Sequence, residues 1–480
     1  MKRVYIDWGV VSNLKKPEFA EVREFLLSHK GDLFFVYSPA HFEDAMRSKG
    51  DYRLAQDILT LESLVDNHLI AYNKKTVQPF LATPTEYYRD NKDCNLSVVP
   101  DITEMLPTIS QDIPVVGGLL KSFLDIPFPF PDAVRSNELV SMMLPDLPTS
   151  PTLSDVIHSA TLYMNKMLSD KEYYKSYRTA VRANGFKVDA NAGNWEANEV
   201  VPNITARIKS LGIDKSFEDF VMMGFGDKKN VDDFKFFMAA YSLLDMIGYK
   251  SDKLPKSSNA MNSVNTDAHH AYYAAFCDYF ITQDAHLTSK ALALYERFGI
   301  STKILTPQNA IKVLDKGRDD DLVLFLQEQL IEENIERCEE RSIVYKFTKR
   351  YLGIFTHCVR YDEDDTLVLE FKLAFDNYSY FIFYDEAAIM VDAVADYLGR
   401  PSKEDYEKAR KRIVAGDTGA SINWQGNGIL LTLCADPERH RPELFITINT
   451  VQEQSSICKM QNGGTEGVTS RLQCEIGSKI

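Results

Sequence analysis

Asp267-Ala-His-His-Ala-Tyr-Tyr-Ala-Ala-Phe-Cys-Asp278-Tyr-Phe-Ile-Thr282-Gln-Asp284 reads as a helix, a tight turn and a short buried strand. Ala268, Ala271, Tyr272 and Ala275 recur at helical spacing, which predicts one face packed on a sheet. Tyr279-Phe-Ile281 is a short apolar run suited to a strand covered on both faces. Asp267 heads the helix in this reading, Asp278 stands at the helix–strand turn, and Asp284 lies two residues past Thr282. In an open parallel sheet, functional groups gather at the carboxyl ends of the strands. This stretch is therefore read as half of a carboxylate cluster.

The other half lies near the amino terminus. Arg3-Val-Tyr-Ile6 predicts a strand that ends at Asp7, and Leu33-Phe-Phe-Val-Tyr37 a second buried strand. Ser38-Pro39 then opens a helix as a capping residue followed by proline. That helix carries Glu43, with its neighbour Asp44 the alternative acid, because adjacent helix positions point in different directions. A longer helix follows, with Leu54, Ile58, Leu61 and Val65 on one stripe, and Leu69–Tyr72 is a third strand. The strand–helix alternation predicts a parallel sheet with helices on both faces. It resumes after Asp284, with a helix stopped by Gly299, a strand at Thr302–Leu305 and a closing helix to about Leu314.

Between these halves, about residues 74–264 form a mostly helical insertion, with helical stretches near 153–183, 202–211, 216–224 and 231–248. Residues 316–342 are expected to be a charged helical connector. Residues 343–460 are an α+β domain, antiparallel by its short connections. Strands are expected near 343–349, 366–374, 378–384, 427–433 and 443–449, and helices near 386–398 and 403–414. Asp362–Asp365 is a hairpin turn, and residues 461–480 a flexible tail.

Composition narrows the function classes. The chain has 480 residues, a formal net charge of −15 and seven scattered cysteines. An acidic total argues against general coating of nucleic acid, so contact with it must be local. The cysteines form no C-x-x-C pair and their number is odd, which favours reduced thiols over a disulfide framework or a zinc site. No apolar run approaches the roughly 20 residues of a membrane span. With no signal-peptide pattern, a cytoplasmic protein is expected.

Asp7, Glu43, Asp267 and Asp284 can all converge on one sheet edge. An oxygen-only acidic set suits Mg²⁺ or Mn²⁺. Two such ions can activate a water and stabilise the leaving oxygen of a phosphodiester. Asp278, Thr282 and Ser12 are candidates for supporting the ligands, while His269 and His270 are read as helix-surface or packing residues. Lys171, Lys175, Arg178 and Arg182 share one helical stripe in the insertion, beside Tyr174 and Tyr177. Cations for phosphates with rings for base stacking are what single-stranded RNA would use.

On these residues the chain resembles the PIN-like nuclease family. The likeness is carried by Asp7 in Tyr-Ile-Asp-Trp-Gly, Glu43 in Ser-Pro-Ala-His-Phe-Glu-Asp, Asp267 in Asp-Ala-His-His, and Asp284 in Asp-Tyr-Phe-Ile-Thr-Gln-Asp. It covers about residues 1–73 and 265–315. It implies an α/β fold with a five-stranded parallel sheet, and a metal-dependent endonuclease acting on RNA more than DNA. Trp8 departs from the small or polar residue usual there, and the insertion is long. A non-catalytic PIN-like scaffold that binds RNA or a protein partner is the second reading. An aspartyl phosphatase is disfavoured, since Asp7-Trp-Gly9 lacks a second aspartate two positions on. The C-terminal domain is expected to serve partner binding or self-association.

Overall fold

The computed structural model describes residues 2–47, 51–92, 103, 120–128, 136–188, 190–225, 229, 231–251, 260–314, 321–363, 366–373, 378, 380–426, 428–438 and 441–449. The expected tail, and Asp364 and Asp365 of the hairpin turn, lie outside them. The fold is mixed α/β, with a parallel sheet, a large antiparallel sheet and a two-stranded antiparallel pair.

The amino-terminal strands are β1 (Lys2–Ile6), β2 (Leu33–Val36), β3 (His68–Tyr72) and β4 (Val77–Leu81); β5 (Tyr279–Ile281) and β6 (Lys303–Leu305) come some two hundred residues later. β2, β1, β5 and β6 form, in that order, a four-stranded parallel sheet. Side chains alternate across it with period two. Val4 and Ile6 face one apolar layer with Leu33 and Phe35, while Tyr5, Phe34 and Val36 face the other.

A fifth parallel strand is not formed. β3 touches β2 at a single parallel bridge, Tyr37–Leu69, and otherwise pairs antiparallel with β4. The chain leaves the sheet at Ser38-Pro39, so Tyr37 offers the last parallel bonds: its N–H donates to His68 (3.1 Å) and its carbonyl accepts from Ile70 (2.8 Å). Pro79 sits in β4, where an edge strand tolerates the missing donor.

Helices of this half are α1 (Trp8–Asn13), α2 (Ala20–Ser28), α3 (Ala40–Ala45), α4 (Asp51–Val65) and α5 (Pro84–Asn91). The interruption contains α6 (Glu138–Met143), α7 (Leu153–Ser169), α8 (Lys171–Val181), α9 (Ala197–Ser210), α10 (Phe217–Met223) and α11 (Asp233–Ile247). α12 (Ala260–Ala274) then leads to β5, α13 (Ala285–Phe298) follows it, and α14 (Pro307–Leu314) follows β6. Gly299 ends α13 in the left-handed region, φ +65°, where glycine carries no Cβ penalty. Asp267 lies in the middle of α12, two turns from its start, and does not head it.

The second sheet has seven antiparallel strands: β7 (Ile335–Cys338), β8 (Ser342–Tyr351), β9 (Phe355–Glu363), β10 (Thr366–Lys372), β11 (Ser421–Gly426), β12 (Ile429–Ala435) and β13 (Pro442–Asn449), in the order β11-β12-β13-β10-β9-β8-β7. α15 (Leu322–Gln329) precedes it, and α16 (Tyr384–Leu398) and α17 (Lys403–Val414) lie after β10. Among its described residues the expected helical connector is helical over α15 and a 3₁₀ turn at Glu332–Asn334, and Ile335–Cys338 adds an exposed edge strand to the sheet.

Among the described residues, the expected strand at 378–384 is not formed. Residues 380–383 run extended without a ladder, and Tyr384 opens α16. Their rings plug the amino-terminal half instead: Phe381 packs on Phe276, and Phe383 on Phe34. Arg3 on β1 donates to the Phe381 carbonyl (2.9 Å) and to buried Glu386 (2.8 Å). These contacts dock the second sheet at the amino ends of the parallel strands, opposite the edge that ends in Asp7 and Thr282. One apolar cluster runs from the insertion helices through to the second sheet. Among the described residues, no helix is long and apolar enough to cross a membrane.

Candidate functional site

Asp7 follows β1 at the N-cap position of α1, yet its side chain makes no capping bond. It is 8% exposed, and its Oδ2 accepts from the Thr282 hydroxyl at 2.9 Å. Thr282 in turn accepts from the Asp284 N–H (3.1 Å), so one threonine ties the ends of β1 and β5 together. Asp284 caps α13, its Oδ1 accepting from the N–H groups of His286 and Leu287, both at 2.8 Å.

The acid that α3 turns toward Asp7 is Asp44, not Glu43. Asp44 accepts from His270 Nε2 (3.0 Å) and from Arg47. His270 Nε2 lies 4.0 Å from Asp7 Oδ1. One ligand atom from each of Asp7, Asp44 and His270 lies within 4.8 Å of the others, the one such group of three or more among the described residues. Glu43 turns to α12, where the Thr266 hydroxyl and His269 Nδ1 each donate to it at 2.8 Å. Asp267 is half-buried on α12, and neither it nor Asp284 belongs to the group of three.

His270 has no exposed surface, so it is no helix-surface residue. Its Nδ1 shares a hydrogen bond with the Tyr5 hydroxyl (2.8 Å), which also bonds Ser38 Oγ (2.6 Å). His41 lies beneath: its Nε2 donates to the Ile6 carbonyl (2.8 Å), and its Nδ1 accepts from the Ser38 N–H (3.1 Å). The bond accepted by Nδ1 requires a neutral ring. Burial, and then the neighbouring His270, push His41 down to about 3.

Electrostatics separate the two aspartates. Burial raises the Asp7 carboxyl above its usual range, and the nearby charges of Asp44 and Asp284 add to the rise despite His270 and Thr282. Burial also pushes Asp44 upward, but the His270 hydrogen bond and the charges of His270 and Arg47 outweigh it and hold Asp44 low. Glu43 is held low in the same way by His269 and Thr266. Burial lowers His270, but Asp44, then Asp7 and Glu43, reverse this and raise it. Arg47 and His270 both bond Asp44, and Asp7 is left with the imidazole only at 4.0 Å.

No protein family, curated protein or solved structure matches the chain.

The remaining expected residues lie elsewhere. Asp278 is at the amino end of β5, where it accepts from the Arg3 N–H (2.7 Å) and from Arg350; it supports the junction with the second sheet and no ligand of the cluster. Ser12 donates to the Gly9 carbonyl within its own helix (3.2 Å). The stripe expected to meet RNA turns inward. Arg178 is buried against Asp245 (3.4 Å), together with Tyr174. Arg182 binds the end of α11 through the Met246 carbonyl (3.1 Å) and Ser251 (2.8 Å). Lys175 is exposed beside Glu172 (3.6 Å), and Lys171 is half-buried at the start of α8. A signal for Asp44 was present: His41, three residues earlier, shares its helix face.

Proposed function

We propose that the chain is a PIN-like, metal-dependent endonuclease that hydrolyses phosphodiester bonds, in RNA more than in DNA. The observation that carries this reading is the convergence of Asp7, Asp44 and His270 at the carboxyl ends of β1 and β5. Asp7 forgoes the capping bond its position offers, and its Oδ1 accepts no hydrogen bond among the described residues. A buried carboxylate with an uncommitted oxygen and a raised proton affinity is what a cation would relieve.

The donor set fits a divalent ion. Asp7 and Asp44 would hold it, and His270 would orient Asp44 through the bond it already makes. Carboxylates suit Mg²⁺ and Mn²⁺, and the adjacent imidazole shifts the balance toward Mn²⁺. When bound, the ion would activate water and neutralise charge developing on the phosphate. Thr282 keeps Asp7 in place, Tyr5 and His41 hold His270 in its orientation, and Glu43 fastens α3 to α12.

Purified protein with Mn²⁺ should cleave single-stranded or hairpin RNA, and Asp7→Asn and Asp44→Asn should abolish cleavage, Asp7→Asn while melting as the wild type does. Undiminished cleavage by either variant would remove that residue from the site. Tight RNA binding by the wild type without cleavage would favour the scaffold reading.

A further inference from the structure

A second feature lies at the other end of the parallel sheet. A cleft of about 1790 Å³ separates the amino ends of those strands from the open face of the seven-stranded sheet. Its floor includes Glu370 and Lys372 on β10, Tyr361 on β9, and Glu443 and Phe445 on β13. The alternation of a β-strand puts Glu443 and Phe445 on the cleft face, while Leu444 and Ile446 enter the core.

Glu443 is 7% exposed, and no hydrogen-bond donor among the described residues reaches its carboxyl group. The polar groups nearby are already committed to Glu370, which accepts from the Tyr361 hydroxyl (2.8 Å) and from Lys372 (3.1 Å). A swing of Lys372 toward Glu443 would strip Glu370 in turn. Burial, followed by the charges of Glu370 and Asp436, pushes Glu443 up to about 7, against the pull of Lys372. A carboxyl group this enclosed, without a donor and lining the cleft, leaves its charge to be met from the cleft.

We propose that this cleft binds an organic cation, an amine or a guanidinium, whose charge Glu443 receives on the floor of the sheet beside Glu370. A divalent metal fits less well. The one group of three or more ligating side chains within mutual reach, among the described residues, is that of Asp7, Asp44 and His270. An amine or guanidinium needs only hydrogen-bond acceptors and a ring face, and the floor supplies the carboxyl groups of Glu443 and Glu370 with the rings of Phe445 and Tyr361. The chain's net charge of −15 concentrates cations around it.

The proposal gives binding a defined pH dependence. The charged and titratable groups around Glu443 are Glu370 and Lys372 on β10, Tyr361 on β9, Cys434 on β12 and Asp436 beyond it. Further along the cleft stand Lys2, Asp32, Asp278 and Lys303 from the parallel sheet's side, and His29, Glu336, Arg337, Lys346, Lys349, Arg350, His357 and Glu438 around them, so that acids and bases balance over the lining as a whole and the acidic part is the floor at Glu443 and Glu370. The cation binds the ionised Glu443, so affinity rises with pH through about 7 and levels off above. Well below that pH it falls by about tenfold per unit.

The test is a thermal-shift and calorimetric titration of the full chain with agmatine, putrescine and cadaverine, which keep their charge from pH 6 to 8. At least one should raise Tm saturably, more at pH 8 than at pH 6. Glu443→Gln should abolish the shift while melting no lower than the wild type at pH 8, because the amide removes a buried charge. Asp7→Asn should keep the shift, which separates this site from the proposed metal centre. No shift with any of the three, an equal shift in Glu443→Gln, or a shift produced by MgCl₂ and lost in Glu443→Gln would each overturn the proposal.

Discussion

Asp245 lies in the helical layer with no exposed surface, and Arg178, Lys290 and Tyr174 all turn toward it, whereas Asp7, at the end of β1, receives one hydroxyl and faces a second carboxylate. Lys290 approaches one Asp245 oxygen at 3.4 Å; Arg178 and the Tyr174 hydroxyl approach the other at 3.4 and 2.7 Å. This ion cluster is complete, and it locks α8, α11 and α13 together. At Asp7 the compensation is incomplete, because the nearby cationic side chains, Arg47 and His270, bond Asp44 instead. Burial alone therefore does not mark a functional acid. What distinguishes the two is whether the fold itself supplies the compensating charge.

The comparison breaks most visibly in paired substitutions. Asp7→Asn removes a charge that the fold leaves uncompensated, so stability should hold while Mn²⁺-dependent cleavage falls by about 10⁴-fold. The lost transition-state stabilisation is several kcal/mol, and each 1.36 kcal/mol is about tenfold. Asp245→Asn does the reverse. It strands Lys290 and Arg178 without their acid and should destabilise by about 3–5 kcal/mol in urea unfolding. If both variants lost stability equally, the distinction between complete and incomplete clusters would collapse.

A smaller effect sharpens the roles of adjacent acids. MnCl₂ should raise the Tm of the wild type and of Glu43→Gln, but not of Asp44→Asn. At a hundredfold excess over Kd, a bound ion stabilises by about 2.7 kcal/mol. A shift lost in Glu43→Gln and kept in Asp44→Asn would hand the ligand role back to Glu43.

These contrasts show what was legible in the chain. Apolar runs at 3–6, 33–37, 279–281 and 302–305 announce the parallel strands, because burial on both faces demands continuous hydrophobicity. Periodic stretches announce the insertion helices, although Pro202 placed one start too late, since it stands inside α9. β9 was missed because its Thr356, His357, Arg360 and Asp362 dilute the apolar alternation. The polar residues were harder still. Arg178 and Arg182 look like a solvated stripe until α11 brings Asp245 and Met246 to them. Glu43 and Asp44 are equivalent in sequence until α12 brings His269 to one and His270 to the other. A charged side chain takes its meaning from its partner, and here those partners come from distant parts of the chain.

The smallest effect concerns a group that the fold handles in a third way, by keeping it neutral. His41 sits between the two modes: buried as deeply as Asp245 and adjoining the cluster of Asp7, it carries no charge at all. In the unfolded chain its ring takes up a proton near 6.5, while in the folded protein it does so only at about 3. Between those values the unfolded state binds the extra proton, so this residue makes stability fall as pH drops below 6.5. His270 acts with the opposite sign and in another window. Its raised affinity stabilises fully below 6.5 and is lost as pH rises through its folded value. Asp44 and Glu43, held low, lose their contributions only as pH falls through the carboxylate range. Between about pH 4.5 and 6, then, the slope of unfolding free energy against pH carries close to one proton from His41, about 1.4 kcal/mol per pH unit. His41→Asn, which keeps a donor and an acceptor but cannot titrate, should remove that slope in urea unfolding. A slope unchanged by the substitution would mean that His41 protonates in place, and that the ring under His270 is part of the charge balance at Asp7 and not insulated from it.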